Sequence, residues 1–282
     1  MSMGSRLCPR VELRSGGGQL GRMVSTLFLV GILAAMAGCT GVRASSSLGV
    51  QLLIPLYSCP SDEDGSLWRA VEEAASLVRI TIIWGVICEG DNYRTALQRL
   101  GEEGVRRLAY IATSDSSRPL EEVEAEISFY SQFPIDGIFL DEVSNRPAAR
   151  GYNEAVIGYA RRIEGVRTVV LNSPYADATF VRTTSADTVV VFEDSYPAWD
   201  EFDAVGYNSI ASSRLAALIH GVPPAALDKA LSLAVARGIG LLFVTDRGWD
   251  LLPSYFHEEV ELVMGLQVRC CKMLGSGLAI QH

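Results

Sequence analysis

The stretch Ile135-Asp136-Gly137-Ile138-Phe139-Leu140-Asp141-Glu142 decides the fold of this 282-residue chain. Its apolar middle is typical of a buried strand, and it leads directly into two adjacent carboxylates. Buried charges are costly, so two acids at the end of such a strand indicate a functional edge. A second apolar run, Thr188-Val189-Val190-Val191-Phe192, ends in the same way, in Glu193-Asp194. Acids at the carboxyl ends of two strands predict one shared site.

Around these two strands, short apolar runs alternate with amphipathic stretches, which is the pattern of βα units around a parallel sheet. The candidate strands are Gly49–Leu56, Arg79–Trp84, Arg106–Ala112, Gly137–Leu140, Thr168–Asn172, Thr188–Phe192, Leu215–His220 and Gly240–Thr245. The candidate helices are Ser66–Leu77, Tyr93–Glu103, Leu120–Gln132, Ala148–Ile163, Pro224–Ala236 and Pro253–Met273. We therefore predict an α/β fold, a single-domain (β/α)8 TIM barrel. The fifth and sixth connections are less regular, so a doubly wound sheet with fewer strands stays open.

The overall composition is that of a folded, acidic protein. Hydrophobic residues make up 49% of the chain and charged residues 20%, which excludes a disordered protein. The formal net charge is -9 and no dense Lys/Arg run occurs, so no nucleic-acid partner is expected.

The N-terminus has the pattern of an export segment. The run from Met23 to Ala37 is apolar and follows Arg22; at about 15 residues it is shorter than the roughly 20 that span a bilayer. The sequence Met36-Ala37-Gly38-Cys39 resembles a bacterial lipoprotein box, so we expect a lipid on Cys39 and an extracellular or cell-surface domain. A secretory signal cut near Ala44 and an uncleaved anchor are the alternatives, and both leave the domain outside the cytoplasm.

The predicted domain boundaries follow from that segment. Residues 1–38 form the export segment, with Met23 as an alternative start, and residues 39–48 form a Ser-rich tether. The barrel takes residues 49–270, and residues 271–282 form a tail. We expect a monomer that meets a membrane only through its anchor.

Several other chemistries find no support in the sequence. The six cysteines form no CxxC pair, and no His lies at metal-ligand spacing. No nucleophile elbow, phosphate loop or nucleotide fingerprint occurs, so we expect neither a metal nor an organic cofactor. Cys59 and Cys88 each follow an early strand, and neighbouring strand ends lie within disulfide reach, so these two residues are candidates for a disulfide.

Two facing carboxylates are the arrangement that glycoside hydrolysis requires. One acid protonates the departing oxygen, and the other attacks carbon or activates water. The alternative for Asp141 and Glu142 is helix capping or an ion pair with Arg146. Glu193 and Asp194 are likewise placed to cap a turn.

Polar and aromatic side chains near other strand ends are candidates for contacts with sugar rings and hydroxyls. They are Tyr57, Trp84, Tyr110, Thr113, Asn172, Tyr196, His220 and Asp246. His220 lies in an apolar run, where a structural His is the common alternative. Trp84 and Trp249 are also placed to fill space beneath a loop.

Several separated motifs, in this order, resemble the spherulin-4 domain family. They are Ile54-Pro55-Leu56-Tyr57, the stretch from Ile135 to Glu142, Phe192-Glu193, His220-Gly221-Val222-Pro223 and Leu252-Pro253-Ser254-Tyr255. The resemblance spans Val50 to Val260 and implies a (β/α)8 glycoside hydrolase. Characterised fungal members cut galactosaminogalactan, an α-1,4-linked polymer of galactose and N-acetylgalactosamine, by endo action.

The resemblance places the family's acidic positions on Asp141, Glu142 and Glu193. We assign Asp141 as the nucleophile and Glu193 as the general acid/base of a retaining mechanism, with Glu142 as a supporting carboxylate. Successive strand side chains point to opposite faces, so exchange of the roles of Asp141 and Glu142 stays open.

The loop after the second strand departs from the family's Asn-Pro and Gly-Pro-Gly pattern, since this chain reads Ile83-Trp84-Gly85-Val86-Ile87-Cys88-Glu89-Gly90-Asp91. We expect Trp84 and Glu89 to reshape a subsite or to accept a cationic, deacetylated amino sugar. The competing hypothesis is a surface-anchored carbohydrate-binding barrel that performs no hydrolysis.

Overall fold

The computed structural model describes residues 49–60, 66–83 and 91–277, in which eight parallel strands close into a barrel. The strands are β1 (Gln51–Leu56), β2 (Val78–Ile83), β3 (Arg106–Ala112), β4 (Gly137–Asp141), β5 (Thr168–Asn172), β6 (Thr188–Ser195), β7 (Leu215–His220) and β8 (Leu241–Thr245). Each strand pairs with the next, and β8 closes on β1 through the pairs Gln51–Leu241 and Leu52–Leu242. The predicted TIM barrel is confirmed, and closure excludes the doubly wound alternative.

Helices follow the strands around the outside of the barrel. Within the described ranges they are α1 (Ser66–Glu73), α2 (Asp91–Glu102), α3 (Leu120–Tyr130), α4 (Arg150–Ala160), α5 (Ala178–Thr183), α6 (Tyr196–Glu201), α7 (Leu227–Ala236) and α8 (Phe256–Gly277). The irregular fifth and sixth connections hold the short helices α5 and α6. Helix α8 continues across residue 270, where the sequence predicts the end of the barrel.

Several sequence predictions fall wholly or partly outside the described residues. The export segment, the tether and Cys39 lie there, as does the altered loop with Trp84, Cys88 and Glu89. Cys59 is disulfide-bonded, while its predicted partner Cys88 belongs to that undescribed loop. In the part of the chain that is described, no helix has the length and apolarity needed to cross a bilayer.

The side chains of strand β4 alternate between the barrel interior and the layer between strands and helices. Ile138 and Leu140 are buried with residues of α3 and α4, in the layer between strands and helices. Phe139 and Asp141 alternate with them and face the barrel interior, where both line a cavity. The strand therefore delivers Asp141 to the inside of the barrel at its carboxyl end.

Gly137 begins β4 at a point where only glycine fits. A Cβ atom there would lie 2.0 Å from the carbonyl oxygen of Thr168 on β5 and 2.7 Å from the side chain of Leu108 on β3. Because both neighbouring strands are paired with β4, the backbone has little room to yield. We expect Gly137→Ala to lower the free energy of unfolding by about 3 kcal/mol in urea denaturation.

The matched control for this substitution is Gly151→Ala in α4. Nothing lies within 4 Å of a Cβ atom at Gly151, so alanine is expected to stabilise the helix by about 0.5–1 kcal/mol. A loss of stability in Gly151→Ala as large as that in Gly137→Ala would contradict the packing explanation.

Glu259, in the first turn of α8, is fully buried, and its carboxyl oxygens have no hydrogen-bond partner among the described residues. Burial raises the pKa of Glu259 well above its usual value of 4.5. The carboxyl is therefore neutral in the folded chain at pH values where the unfolded chain has already released its proton. The stability that the neutral form contributes is complete below the unfolded pKa and falls as the pH rises toward the raised one.

We expect Glu259→Gln to flatten this fall in stability, because glutamine does not titrate. Urea unfolding across a pH series above 4.5 measures it. Glu258→Gln, at the exposed neighbouring position, is expected to keep the wild-type slope. An unchanged slope in Glu259→Gln would show that Glu259 titrates alike in both states.

Candidate active site

Asp141 and Glu193 meet at the carboxyl ends of β4 and β6, with Asn172 of β5 between them. The Asn172 Nδ2 group donates one hydrogen bond to Asp141 Oδ1 (2.7 Å) and another to Glu193 Oε2 (2.6 Å). The two acceptor oxygens are therefore at most 5.3 Å apart, the length of the path through the nitrogen. Asn172 is buried, so this link between the two acids is held by the core.

Three donors hold the Asp141 carboxylate in place. Besides Asn172, the Tyr110 hydroxyl donates to Asp141 Oδ2 (2.6 Å), and the backbone N–H of Glu142 donates to Asp141 Oδ1 (2.8 Å). Burial, and then the hydrogen bond to Asp141, raise the pKa of the Tyr110 phenol. Burial and the Asp141 charge also raise the pKa of Tyr57, whose ring meets Tyr110 edge to face at 6.1 Å. Two neutral phenols thus flank the carboxylate.

The environment of Glu193 shifts its carboxyl toward the protonated form. Burial raises its pKa above the usual value of 4.5, the Asn172 hydrogen bond opposes this shift, and the Asp141 charge adds to it. Two acids in contact with one amide therefore differ in environment, which is the condition for dividing acid and nucleophile roles between them.

A bulge in β6 selects Glu193 rather than Asp194 for the interior. Val191 has no partner on β7, so the strand gains one residue relative to its neighbour. Beyond the bulge Glu193 aligns with Leu218, which lines the same cavity. Without the extra residue the alternation would turn Asp194 inward. Asp194 instead accepts hydrogen bonds from the Tyr175 hydroxyl (2.7 Å) and from the Ser195 N–H (2.6 Å).

Glu142 lies at a strained corner beside the site. Its φ of 53° is in the left-handed region, and Ser114, Asp115 and Ser116 share that conformation at φ 50°, 54° and 58°. Glu142 Oε2 accepts a hydrogen bond from the Ser114 N–H (3.2 Å), so the side chain turns toward this loop. Non-glycine residues in such conformations cluster at functional sites, where the surrounding structure holds them.

Thr113 and Arg146 define the remaining contacts of this corner. Thr113 is buried, and its hydroxyl lies 2.9 Å from the Asp141 carbonyl oxygen and 2.8 Å from that of Glu142. It therefore supports the strand end, although the sequence predicted a contact with substrate. Arg146 pairs with Asp115 at 3.1 Å; the alternative ion pair with Asp141 or Glu142 is not formed.

The carboxylates stand between two cavities that share Asp141, Asn172 and Glu193. One cavity, of about 810 Å³, is lined mainly by polar residues such as Asp115 and Glu142. The other, of about 400 Å³, is lined by aromatic and acidic side chains, which include Tyr57, Tyr110, Phe139, Trp249 and Asp250. A ligand that reaches the acids therefore has room on both sides of them.

The structure places the other sequence-predicted binding residues at different distances from this cleft. His220 is exposed, and its ring meets that of Trp249 edge to face at 5.8 Å, at the rim. Asp246 accepts hydrogen bonds from Ser254 and holds the loop after β8. Tyr196 begins α6 and lines neither cavity.

Two residues that line the cleft, Trp249 and Asp250, do not lie at a strand end, so a search of strand ends does not find them. They belong to the loop that follows β8, four and five residues beyond the strand end at Thr245. The sequence offers only an aromatic residue in a loop, for which filling space beneath the loop is an equal explanation.

In the described ranges, no group of three or more His, Cys, Asp or Glu is placed to hold a metal ion.

The sequence of this chain is similar to one protein family and to a member of it. The sequence model of spherulation-specific family 4 matches residues 51–263. Spherulin-4 from Physarum polycephalum is 28% identical over 261 residues, which cover 83% of this chain and 77% of that protein.

Two solved structures show the likeness of the fold. L-ribulose 3-epimerase has a TM-score of 0.50 at 12% identity and covers 83% of this chain and 99% of its own. Orotidine 5'-monophosphate decarboxylase from Methanocaldococcus jannaschii has a TM-score of 0.50 at 11% identity, with 78% and 99% covered. At these identities the likeness shows the barrel alone.

Proposed function

The chain belongs to spherulation-specific family 4, and from this membership and its carboxylate geometry we propose that it is a retaining glycoside hydrolase. One observation carries the proposal: a single amide group joins Asp141 to Glu193, with their oxygens at most 5.3 Å apart. Retaining enzymes hold their two carboxyl groups about 5–5.5 Å apart, whereas inverting enzymes need about 6.5–9.5 Å to admit a water. The geometry supports direct attack by one carboxylate.

In the proposed first step, Asp141 attacks the anomeric carbon while Glu193 donates its proton to the departing glycosidic oxygen. A glycosyl ester forms on Asp141, and the leaving sugar carries away the proton of Glu193. In the second step, ionised Glu193 takes a proton from water, and the resulting hydroxide breaks the ester at the same carbon. Both side chains return to their starting protonation states.

Asn172 and Tyr110 position the nucleophile in this scheme. Both donate to Asp141, and so they fix which lone pair faces the sugar. Asn172 also donates to Glu193, which keeps the acid/base at a constant separation while its proton leaves and returns. Such prearranged donors require little reorganisation during the reaction.

For substrate we propose an α-1,4-linked polysaccharide that contains galactosamine or N-acetylgalactosamine, cut by endo action. Cavities on both sides of the acids support internal cleavage, because sugar units need space in both directions. Tyr57 and Trp249 supply aromatic surface for sugar faces in one cavity. In the other cavity Glu142 supplies a carboxylate for an amino sugar, while Asp115 is paired with Arg146. The acidic chain favours a cationic polymer.

We also propose an extracellular or cell-surface location, with Cys39 as the lipidated residue and the polysaccharide as the principal partner. The apolar run and lipoprotein-like box of the sequence support this location. We expect the protein to act as a monomer, since one chain supplies both acids and the described lining of both cavities.

The experiment that tests the mechanism follows products over time from galactosaminogalactan and from partly deacetylated polygalactosamine. Endo cleavage predicts fragments of many lengths at early times, and retention predicts that each new reducing end is first formed as the α anomer by NMR. New ends that first appear as the β anomer would contradict the retaining mechanism. Binding of both polymers without any cleavage would favour a carbohydrate-binding barrel.

A further inference from the structure

The N-terminal mouth of the barrel, at the end opposite the carboxylates, contains a separate cavity of about 270 Å³. Arg79 near the start of β2 and Arg106 at the start of β3 both line it. The two strands are neighbours, and Arg106 pairs with Ile80, the residue after Arg79. Two guanidinium groups therefore share one opening.

Neither arginine has a counter-charge within the described ranges: no carboxylate forms an ion pair with Arg79 or Arg106, and neither guanidinium donates a hydrogen bond. Asp187 also lines the cavity, but its Oδ2 atom accepts from Arg161 (3.1 Å) and from the Val169 N–H (2.8 Å). Its charge is thus already paired. The cavity carries two positive charges that nothing described balances.

This arrangement is costly for the protein alone. Both arginines are partly buried, and partly buried like charges repel each other and lose hydration. Burial and the neighbouring Arg106 lower the pKa of Arg79. Arg107, on the opposite face of β3, shows the contrast, because its guanidinium has hydrogen-bond acceptors. It donates to Asp136 at 2.6 Å and to the Leu97 carbonyl oxygen at 2.7 Å.

We propose that Arg79 and Arg106 form a binding site for a phosphate-type oxyanion at the N-terminal mouth of the barrel. Guanidinium groups present paired N–H donors that match phosphate oxygens. Ser212 and Ser213 line the same cavity and bring hydroxyl donors. An oxyanion bound here would balance the excess charge and supply acceptors to both guanidiniums.

Two sources offer this chemistry, a soluble phosphate and a phospholipid headgroup. Gly49 lines the cavity, and Cys39, the proposed lipidation residue, precedes it by ten positions in the sequence. A headgroup is therefore a source that the proposed anchor would bring near this mouth.

The test is thermal unfolding of the full chain in inorganic phosphate and in chloride at equal ionic strength. At ten times the dissociation constant, phosphate is expected to raise the wild-type Tm by about 3–6 °C. Arg79→Gln and Arg106→Gln are expected to lose this rise, while their Tm in chloride stays at or above the wild-type value because a repulsive charge is gone. Arg167→Gln, at an exposed position directly before β5, is the matched control and keeps the rise.

No rise in the wild-type protein would overturn the proposal, as would an equal rise in all four proteins. Co-sedimentation with phosphatidylglycerol and phosphatidylcholine vesicles separates the two sources. Binding to phosphatidylglycerol that both Arg→Gln variants weaken identifies the headgroup. Vesicle binding that the variants leave unchanged, with their phosphate response lost, identifies a soluble phosphate.

Discussion

Replacing Asp141 with asparagine is expected to reduce kcat for polysaccharide hydrolysis by about 10⁴-fold or more. Asparagine preserves the size of the side chain but removes the charge that attacks the anomeric carbon in the proposed mechanism. KM is expected to change little, because Asp141 contributes one polar group to a cleft that extends on both sides of it. Steady-state kinetics on galactosaminogalactan measures both constants.

The control for this substitution is Asp194→Asn, since Asp194 faces away from the cleft and bonds Tyr175. It is expected to retain activity within a few-fold of the wild type. Loss of activity in Asp194→Asn with full activity in Asp141→Asn would contradict both the role of Asp141 and the outward position of Asp194. Full activity in both would remove Asp141 from the reaction.

Glu193→Gln is expected to lower kcat by about 10²–10⁴-fold, because glutamine donates no proton to the departing oxygen. The loss is expected to be smaller on an aryl glycoside, whose leaving group departs without protonation. Such dependence on the leaving group separates an acid from a residue that merely shapes the cleft. A loss of equal size on both substrates would argue against the acid role.

The pH profile gives a second test of Glu193. The proposed mechanism requires this carboxyl protonated in the free enzyme, so we expect kcat/KM to fall as the pH rises through its pKa, which burial and the Asp141 charge raise above 4.5. The wild-type profile therefore has an alkaline limb displaced upward from that of an ordinary glutamate. Glu193→Gln is expected to lack this limb, and its persistence would assign the limb to another group.

Much of the barrel is predictable from sequence because buried parallel strands are short apolar runs with clear ends. The predicted bounds of β3, β5 and β7 are the observed ones. The apolar run predicts that β6 ends at Phe192, but the strand continues to Ser195. The pairing with β7, a long-range contact, extends it and introduces the bulge at Val191.

The identity of the cleft acids is less predictable than their location. Strand alternation alone leaves Asp141 and Glu142 equivalent until the barrel fixes which face of β4 is inside, and the structure turns Asp141 inward. For Glu193 the simple alternation is wrong by one residue, because the bulge changes the face. The strand end indicates both Glu193 and Asp194, and the family resemblance selects Glu193 from the two.

The binding residues show why strand ends are an imperfect guide. Thr113 and Asp246 both follow strands, yet the Thr113 hydroxyl bonds the backbone of β4 and the Asp246 carboxylate bonds Ser254 of its own loop. Trp249 reaches the cleft from within a loop whose path depends on tertiary contacts. Polar residues near a barrel mouth thus divide into those that shape the loops and those that face the ligand.

The most direct test of the central claim is the release of reducing ends from galactosaminogalactan by the wild-type chain, Asp141→Asn and Glu193→Gln, with polymer binding measured in parallel. The predicted result is release by the wild type, its loss in both variants, and binding in all three. Binding without release by the wild type, or equal release by all three, would contradict a hydrolase that works through Asp141 and Glu193.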